Sequence, residues 1–338
     1  VQRPPRVSFN IPIFNGERTI ALAVQSALDQ TFPDVEVIVV NDCSKDKTAQ
    51  VLNAFTDPRL TVIHHERNQG ISRTRNDALK ASTGEFVAIL DGDDFALPRR
   101  AQAQLDAMAA DPARDGVFSC IRYYNQGTDP YKIVAQNVFG DEPAVREKLL
   151  FENPFPHSTA FLKRSVLGAG YPEDLPCAED YAKWLELVFA GRKLQTLADP
   201  VSHGGVHPPT SYTRASMREA VGTLHARYFE KILGRPLIQP ELDRQWALYE
   251  TVEWTPATAD EALEQLRAIK DWIRTIEGAT LEDATWDRAR FSREAHTRLY
   301  QLCSRALKRF ALKTAEFAPG MTAEQRLKLF VKGLLGPR

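Results

Sequence analysis

The stretch from Glu85 to Asp94, EFVAILDGDD, narrows the choice of fold more than any other in the chain. Phe86 to Leu90 is an uninterrupted apolar run, long enough for a strand and too short for a helix. Such a run is the mark of a strand covered on both faces in a parallel sheet. It stops abruptly at Asp91, Gly92, Asp93 and Asp94. In open α/β sheets ligands sit outside the carboxyl ends of the strands, and carboxylates crowded there repel one another unless a cation or a set of donors holds them. The spacing therefore predicts a divalent-metal site. The local alternative is a solvated turn in which Asp94 caps a helix beginning near Pro98.

The preceding residues repeat the design. Arg6 to Phe14 reads as a first buried strand turning at Asn15-Gly16, after which Thr19, Ile20, Ala23, Val24, Ala27 and Leu28 recur at helical spacing. Val35 to Val40 and Leu60 to His64 are further strands, and Gly70 to Lys80 is a helix. Strands alternating with helices at this interval indicate βαβ units in a mostly parallel, doubly wound sheet. Polar residues gather at its strand ends: Pro12 to Glu17, Asp42 to Asp46, and Asp91 to Asp94. Neither GxGxxG nor a P-loop follows the first strand, which sets aside dinucleotide dehydrogenases and P-loop enzymes. The crevice suits a mononucleotide whose diphosphate is bridged by a metal.

Beyond Ala96 the pattern loosens. The sequence predicts a helix over Pro98–Ala110, a strand over Val117–Tyr124, a short helix over Arg146–Phe151 and an extended segment at Pro154–Ser158. Glu179-Asp180 heads a helix running to Ala190, where an acidic pair ordinarily serves as a cap. A strand at Leu194–Ala198 precedes a loop, Val201–Tyr212, whose His203 and His207 read locally as solvated. From Arg214 strands vanish and helical periodicity takes over, so the expected division is a catalytic domain over 1–212 and a helical region over 213–338. A net charge of −1 gives no reason to expect nucleic acid as a partner. Scattered cysteines without a CxxC pair, and no apolar run of membrane-spanning length, lead to the expectation of a cytoplasmic chain with reduced thiols.

Several stretches together resemble the family 2 glycosyltransferases of the GT-A fold: IPIFNGERTIALAVQSALDQTF, EVIVVNDCSKDKT, NQGISRTRNDAL, AILDGDD, PEDLPCAEDYAKWLEL and HPPTSYT. They cover about residues 5 to 212 and leave out the helical region. The resemblance implies inverting, metal-dependent transfer from a nucleoside-diphosphate sugar, UDP-linked by preference, to a glycan or lipid-linked acceptor. It implies that Pro12, Asp42 and Arg75 border the nucleotide and that Asp91 meets its ribose. Asp93 and His207, with Asp91, would hold Mn²⁺ or Mg²⁺. Asp180 resembles the catalytic base, with Glu179 as helper or cap. The chain departs from the family at Cys43 and Ala78, where glycine is usual, and in the turn Gly170-Tyr171-Pro172-Glu173.

Two other readings compete. A sugar nucleotidyltransferase would need a Gly-rich basic loop after the first strand, where only Gly16 and Arg18 stand; a catalytically silent scaffold would have no use for Asp91, Asp93, Asp180 and His207 together. In the helical region Leu299, Leu302, Cys303, Ala306, Leu307, Phe310 and Ala311 share one face among Arg298, Arg305, Lys308, Arg309 and Lys313. Leu327, Phe330, Val331, Leu334 and Leu335 repeat this among Arg326, Lys328 and Lys332. Such faces pack internally, join copies of the chain, or lie on an anionic membrane surface.

Overall fold

Val7–Ile13, buried at every position, form β1, an interior strand of the sheet. The computed structural model describes residues 6–125, 133–137, 146–206, 213–250, 255–278 and 286–310. On β1 even the polar side chains are covered and partnered: Ser8 donates to Glu36, and Asn10 accepts from Ser82. β2 (Val35–Asn41), β3 (Leu60–His64) and β4 (Phe86–Ile89) extend the sheet in parallel, in the order β3-β2-β1-β4. The chain leaves β1 toward one edge and returns on the other side as β4, so the carboxyl ends of these two strands flank the crevice where a doubly wound sheet binds ligands.

Past β4 the sheet becomes mixed. β8 (Phe161–Lys163) runs antiparallel to β4 and to β6 (Gly116–Asn125), whereas β9 (Leu194–Val206) is parallel to β6. β7 (Ile133–Asn137) pairs with β6, and β5 (Phe95–Ala96) with β9. Three helices cover the parallel half, α1 (Ile20–Leu28), α2 (Thr48–Asn53) and α3 (Ile71–Ala81); α1 buries Ile20, Ala23, Val24, Ala27 and Leu28, as their spacing predicts. α4 (Arg100–Ala110) contributes a fully buried cation. Arg100 donates to the carbonyls of Ile89, Ser158 and Ala160 and to Ser202 Oγ, and burial lowers its pKa to about 9. It cross-braces β4, the segment just before β8, and β9.

Two local expectations are corrected. β9 continues to Val206, so His203 is not on a solvated loop: it is 3 % exposed, its ring 4.9 Å from that of Phe95. Asp94 does not cap α4, whose N-cap is Arg99; its carboxylate is buried and accepts the Gly205 N–H at 3.0 Å.

By internal contacts the chain forms one unit of Val1–Ala144 with Pro154–Thr213 and another of Val145–Asn153 with Arg214–Arg338. The second holds α5 (Arg146–Leu149), α7 (Arg214–Leu233), α8 (Gln239–Tyr249), α9 (Ala259–Gly278) and α10 (Arg288–Phe310). Its core joins Phe151, Phe229, Trp272 and Phe291, and Gln245 is held between the Leu150 carbonyl and the Trp272 indole. Leu299, Leu302, Cys303 and Ala306 are fully buried, so this part of the apolar face of α10 is spent inside the unit and offers no membrane or oligomer contact. The second amphipathic stretch, 327–335, lies outside the described residues. No helix among the described residues is long and apolar enough to cross a membrane.

Candidate functional site

The sheet unit has a cavity of about 560 Å³ at the carboxyl ends of β1, β2 and β4. Pro12, Ile13 and Phe14 come from the end of β1, Asp42 from the end of β2, and Asp91, Gly92 and Asp93 from the turn after β4. Arg75 enters from α3, and Glu179 from the first turn of α6 (Glu179–Phe189). Gly92 is required by a close approach, since a Cβ there would stand 2.9 Å from the Pro12 carbonyl. A neighbouring hollow of about 260 Å³ shares Ile13, Phe14 and Asp93 with the first, so Asp93 borders open space on two sides.

Arg75 ties the strand-end carboxylates to the acidic pair 104 residues away. Its Nη2 donates to Asp91 Oδ1 at 3.0 Å and its Nη1 to Glu179 Oε1. Both carboxylates are fixed by this one buried guanidinium, which is how buried charges are tolerated. Burial opposes ionisation of Asp91, but Arg75 and His157 outweigh it and hold the carboxyl well below the usual range. The opposite holds next door: burial raises Asp94 well above the usual range, and the charges of Asp93 and Asp91 raise it further. Repulsion among these carboxylates is what a cation would relieve.

Asp42 is 3 % exposed, and its carboxylate accepts from the Gln69 and Gly70 amides and contacts His65 Nδ1. It borders the cavity, but these bonds make it first a brace for the loop entering α3. Cys43 beside it has φ 59°, which explains why glycine is usual there. The thiol points away to the Glu66 carbonyl at 3.3 Å and so does not crowd the crevice. At this φ a β-branched side chain is strained by about 1–2 kcal/mol. Cys43→Val is therefore expected to lower the urea midpoint, while Cys43→Gly leaves it level or higher; equal midpoints for both would contradict the strain.

Ala178, the residue before α6, is also left-handed at φ 60° and aims the helix start toward the sheet. Glu179 is buried against Arg75 and so is more than a cap. Asp180 Oδ1 accepts its neighbour's amide, from Tyr181, at 2.7 Å; Asp180 is not among the residues lining the cavity. The turn at Gly170–Glu173 is fastened to α3 by Asn76, which bonds both the N–H and the carbonyl of Tyr171 and the Glu173 carboxylate. His207 lies outside the described residues.

Sequence reasoning passed over His157, Ser158 and Tyr171. Ser158 Oγ accepts the Asp91 N–H at 2.7 Å, and His157 lies between Asp91 and the Tyr171 hydroxyl. The only signal was a polar pair directly before the apolar run that becomes β8. Among the described residues no three His, Cys, Asp or Glu side chains are arranged to hold a metal. The hard oxygens of Asp93 and Asp91 at the cavity nevertheless fit a divalent cation that takes its remaining ligands from a diphosphate, water and a further side chain.

Comparison with known proteins gives this crevice its setting. Residues 8–169 match the family described as Glycosyl transferase family 2. The UDP-Glc:alpha-D-GlcNAc-diphosphoundecaprenol beta-1,3-glucosyltransferase WfaP of Escherichia coli is 31% identical over 189 residues, 55% of this chain and 72% of that protein. The succinoglycan biosynthesis protein ExoO of Rhizobium meliloti is 38% identical over 120 residues, 35% of this chain and only 34% of that protein's length. Among solved structures, S. aureus TarS 1-349 in complex with UDP has a TM-score of 0.57 at 21% identity, over 90% of this chain and 92% of that one. A Pyrobaculum calidifontis mannosyltransferase in complex with GDP-Man and Mn2+ has a TM-score of 0.52 at 21% identity, over 90% and 88%. These structures share the GT-A architecture, and the sequence matches make this chain a member of the family 2 glycosyltransferases.

Proposed function

We propose that the chain transfers a sugar from a UDP-sugar to a hydroxyl of a glycan or lipid-linked acceptor with inversion at the anomeric carbon. The observation that carries this reading is the joining of the Asp91–Asp94 turn to the Glu179–Asp180 pair through Arg75 beside one cavity. It supplies a place for a diphosphate and, at the start of α6, a carboxylate for the acceptor. WfaP's name specifies a UDP-Glc donor and a diphosphoundecaprenol-linked acceptor, and the solved relatives hold UDP or GDP-Man, which favours a nucleotide donor of this kind.

Pro12, Asp42, Arg75 and Asp91 line the cavity; the first three would border the nucleotide, and Asp91 would meet its ribose. Asp93, with Asp91 and His207, would hold Mn²⁺ or Mg²⁺, which when bound neutralises charge on the leaving diphosphate. Asp180 takes the proton of the acceptor hydroxyl as its oxygen attacks the anomeric carbon and the bond to the diphosphate breaks. One displacement inverts the anomer, and no covalent glycosyl-enzyme forms. Any lipid-surface contact rests on residues 311–338, because the buried face of α10 is taken.

The test is release of nucleoside diphosphate from UDP-, GDP- and dTDP-sugars with and without Mn²⁺. Metal-dependent release, fastest from a UDP-sugar, is expected. Tight UDP binding without release from any donor would favour the silent scaffold instead.

A further inference from the structure

Segment 154–159 has no part in the chemistry above, yet two of its consecutive side chains grip the same aspartate. Ser158 Oγ takes the Asp91 backbone N–H, while His157 Nδ1 stands 3.4 Å from Asp91 Oδ1. His157 is 8 % exposed, and among the described residues its Nδ1 has no hydrogen-bond partner. Its Nε2 is 3.1 Å from the Tyr171 hydroxyl, and its ring is wedged against those of Tyr171 and Trp184 at 5.6 and 5.8 Å. When the Tyr171 O–H donates to Nε2, the imidazole proton sits on Nδ1 and faces Asp91.

Arg75 Nη2 reaches the same oxygen, Oδ1, at 3.0 Å, and its guanidinium lies 5.7 Å from the centre of the Tyr171 ring. Asp91, Arg75, Tyr171 and His157 thus close a ring of contacts. Arg75 donates to Oδ1, His157 Nδ1 faces the same oxygen at 3.4 Å, and Asp91 lines the cavity.

We propose that His157, oriented by Tyr171, is a positioning residue that fixes the Asp91 carboxylate so that Oδ2 meets the incoming nucleotide sugar. This rests on the glycosyltransferase reading and adds to it a donor-site brace from outside the acidic motifs.

Asn and Gln at position 157 separate the two ends of the imidazole. An Asn amide can stand near the place of Nδ1 and still donate to Asp91, whereas a Gln amide reaches toward the place of Nε2 and keeps only the Tyr171 contact. His157→Asn is expected to lose no more than about fivefold in kcat/KM for the donor and in UDP affinity measured by calorimetry with Mn²⁺. His157→Gln and His157→Leu are expected to lose about 10- to 100-fold in both, the worth of one hydrogen bond to a charged group. Melting temperatures of the Asn and Gln variants should agree. Equal losses in Asn and Gln, losses that track melting temperature, or a wild-type-like Leu variant would each overturn the proposal. A wild type that binds UDP but transfers nothing overturns the transferase reading instead, and the order of UDP affinities still decides on the brace.

Discussion

Asp180→Asn is expected to slow transfer by about two to four orders of magnitude, the usual worth of a positioned general base, while leaving UDP affinity near that of wild type. Asparagine is the informative replacement. Its carbonyl oxygen can still accept the Tyr181 N–H that Asp180 Oδ1 accepts at 2.7 Å, so the start of α6 is preserved. What is lost is the ability to take a proton. A sugar hydroxyl is a poor nucleophile near neutral pH, so loss of the base appears in turnover and not in donor binding. Glu179 is badly placed to substitute, because Arg75 already claims its carboxylate. Turnover within a few-fold of wild type would move the base elsewhere, with Glu173, half exposed beside Asn76, as the next candidate.

The second large effect belongs to Asp93. Asp93→Ala is expected to lower transfer by at least the roughly 10- to 100-fold that losing even an outer-shell partner of a metal ligand costs, and to abolish the dependence of activity on added Mn²⁺. Chelation of wild type should reproduce the loss. The charge of Asp93 works against its neighbour Asp94, so removing it relieves that repulsion. The melting temperature is therefore expected to hold or to rise slightly. An unchanged Mn²⁺ titration in the variant would remove Asp93 from the metal site, and a large drop in melting temperature would assign it a structural role.

How far the site could be read in advance depended on the kind of residue. Val35–Val40 and Phe86–Leu90 announce strands because β-branched and apolar runs of that length have no stable alternative when both faces are covered. Their polar ends then locate the crevice. β5 and the far half of β9 were hidden, because a two-residue strand has no periodicity and HGG inside a strand reads as a loop. Arg75 with Glu179 and His157 with Asp91 are pairings across long separations, and no local pattern encodes which carboxylate a buried cation will meet. Arg100 is a similar case: its place in the apolar spacing of α4 gives no hint that three buried carbonyls converge on its guanidinium. The left-handed Cys43 and Ala178 are legible only in reverse, as places where glycine would have been the easier residue. Residues 145–153 join the helical unit through contacts such as Phe151 with Phe291 and Glu147 with the Asp287 amide, which sequence order conceals.

The most direct test of the central claim is the anomer first released when the enzyme hydrolyses an α-linked UDP-sugar in Mn²⁺. It can be followed by proton NMR before the free sugar equilibrates, and it needs no knowledge of the acceptor. Single displacement, with water in the acceptor's place, predicts that the β-anomer appears first. Release of the α-anomer first would contradict an inverting site at Asp180.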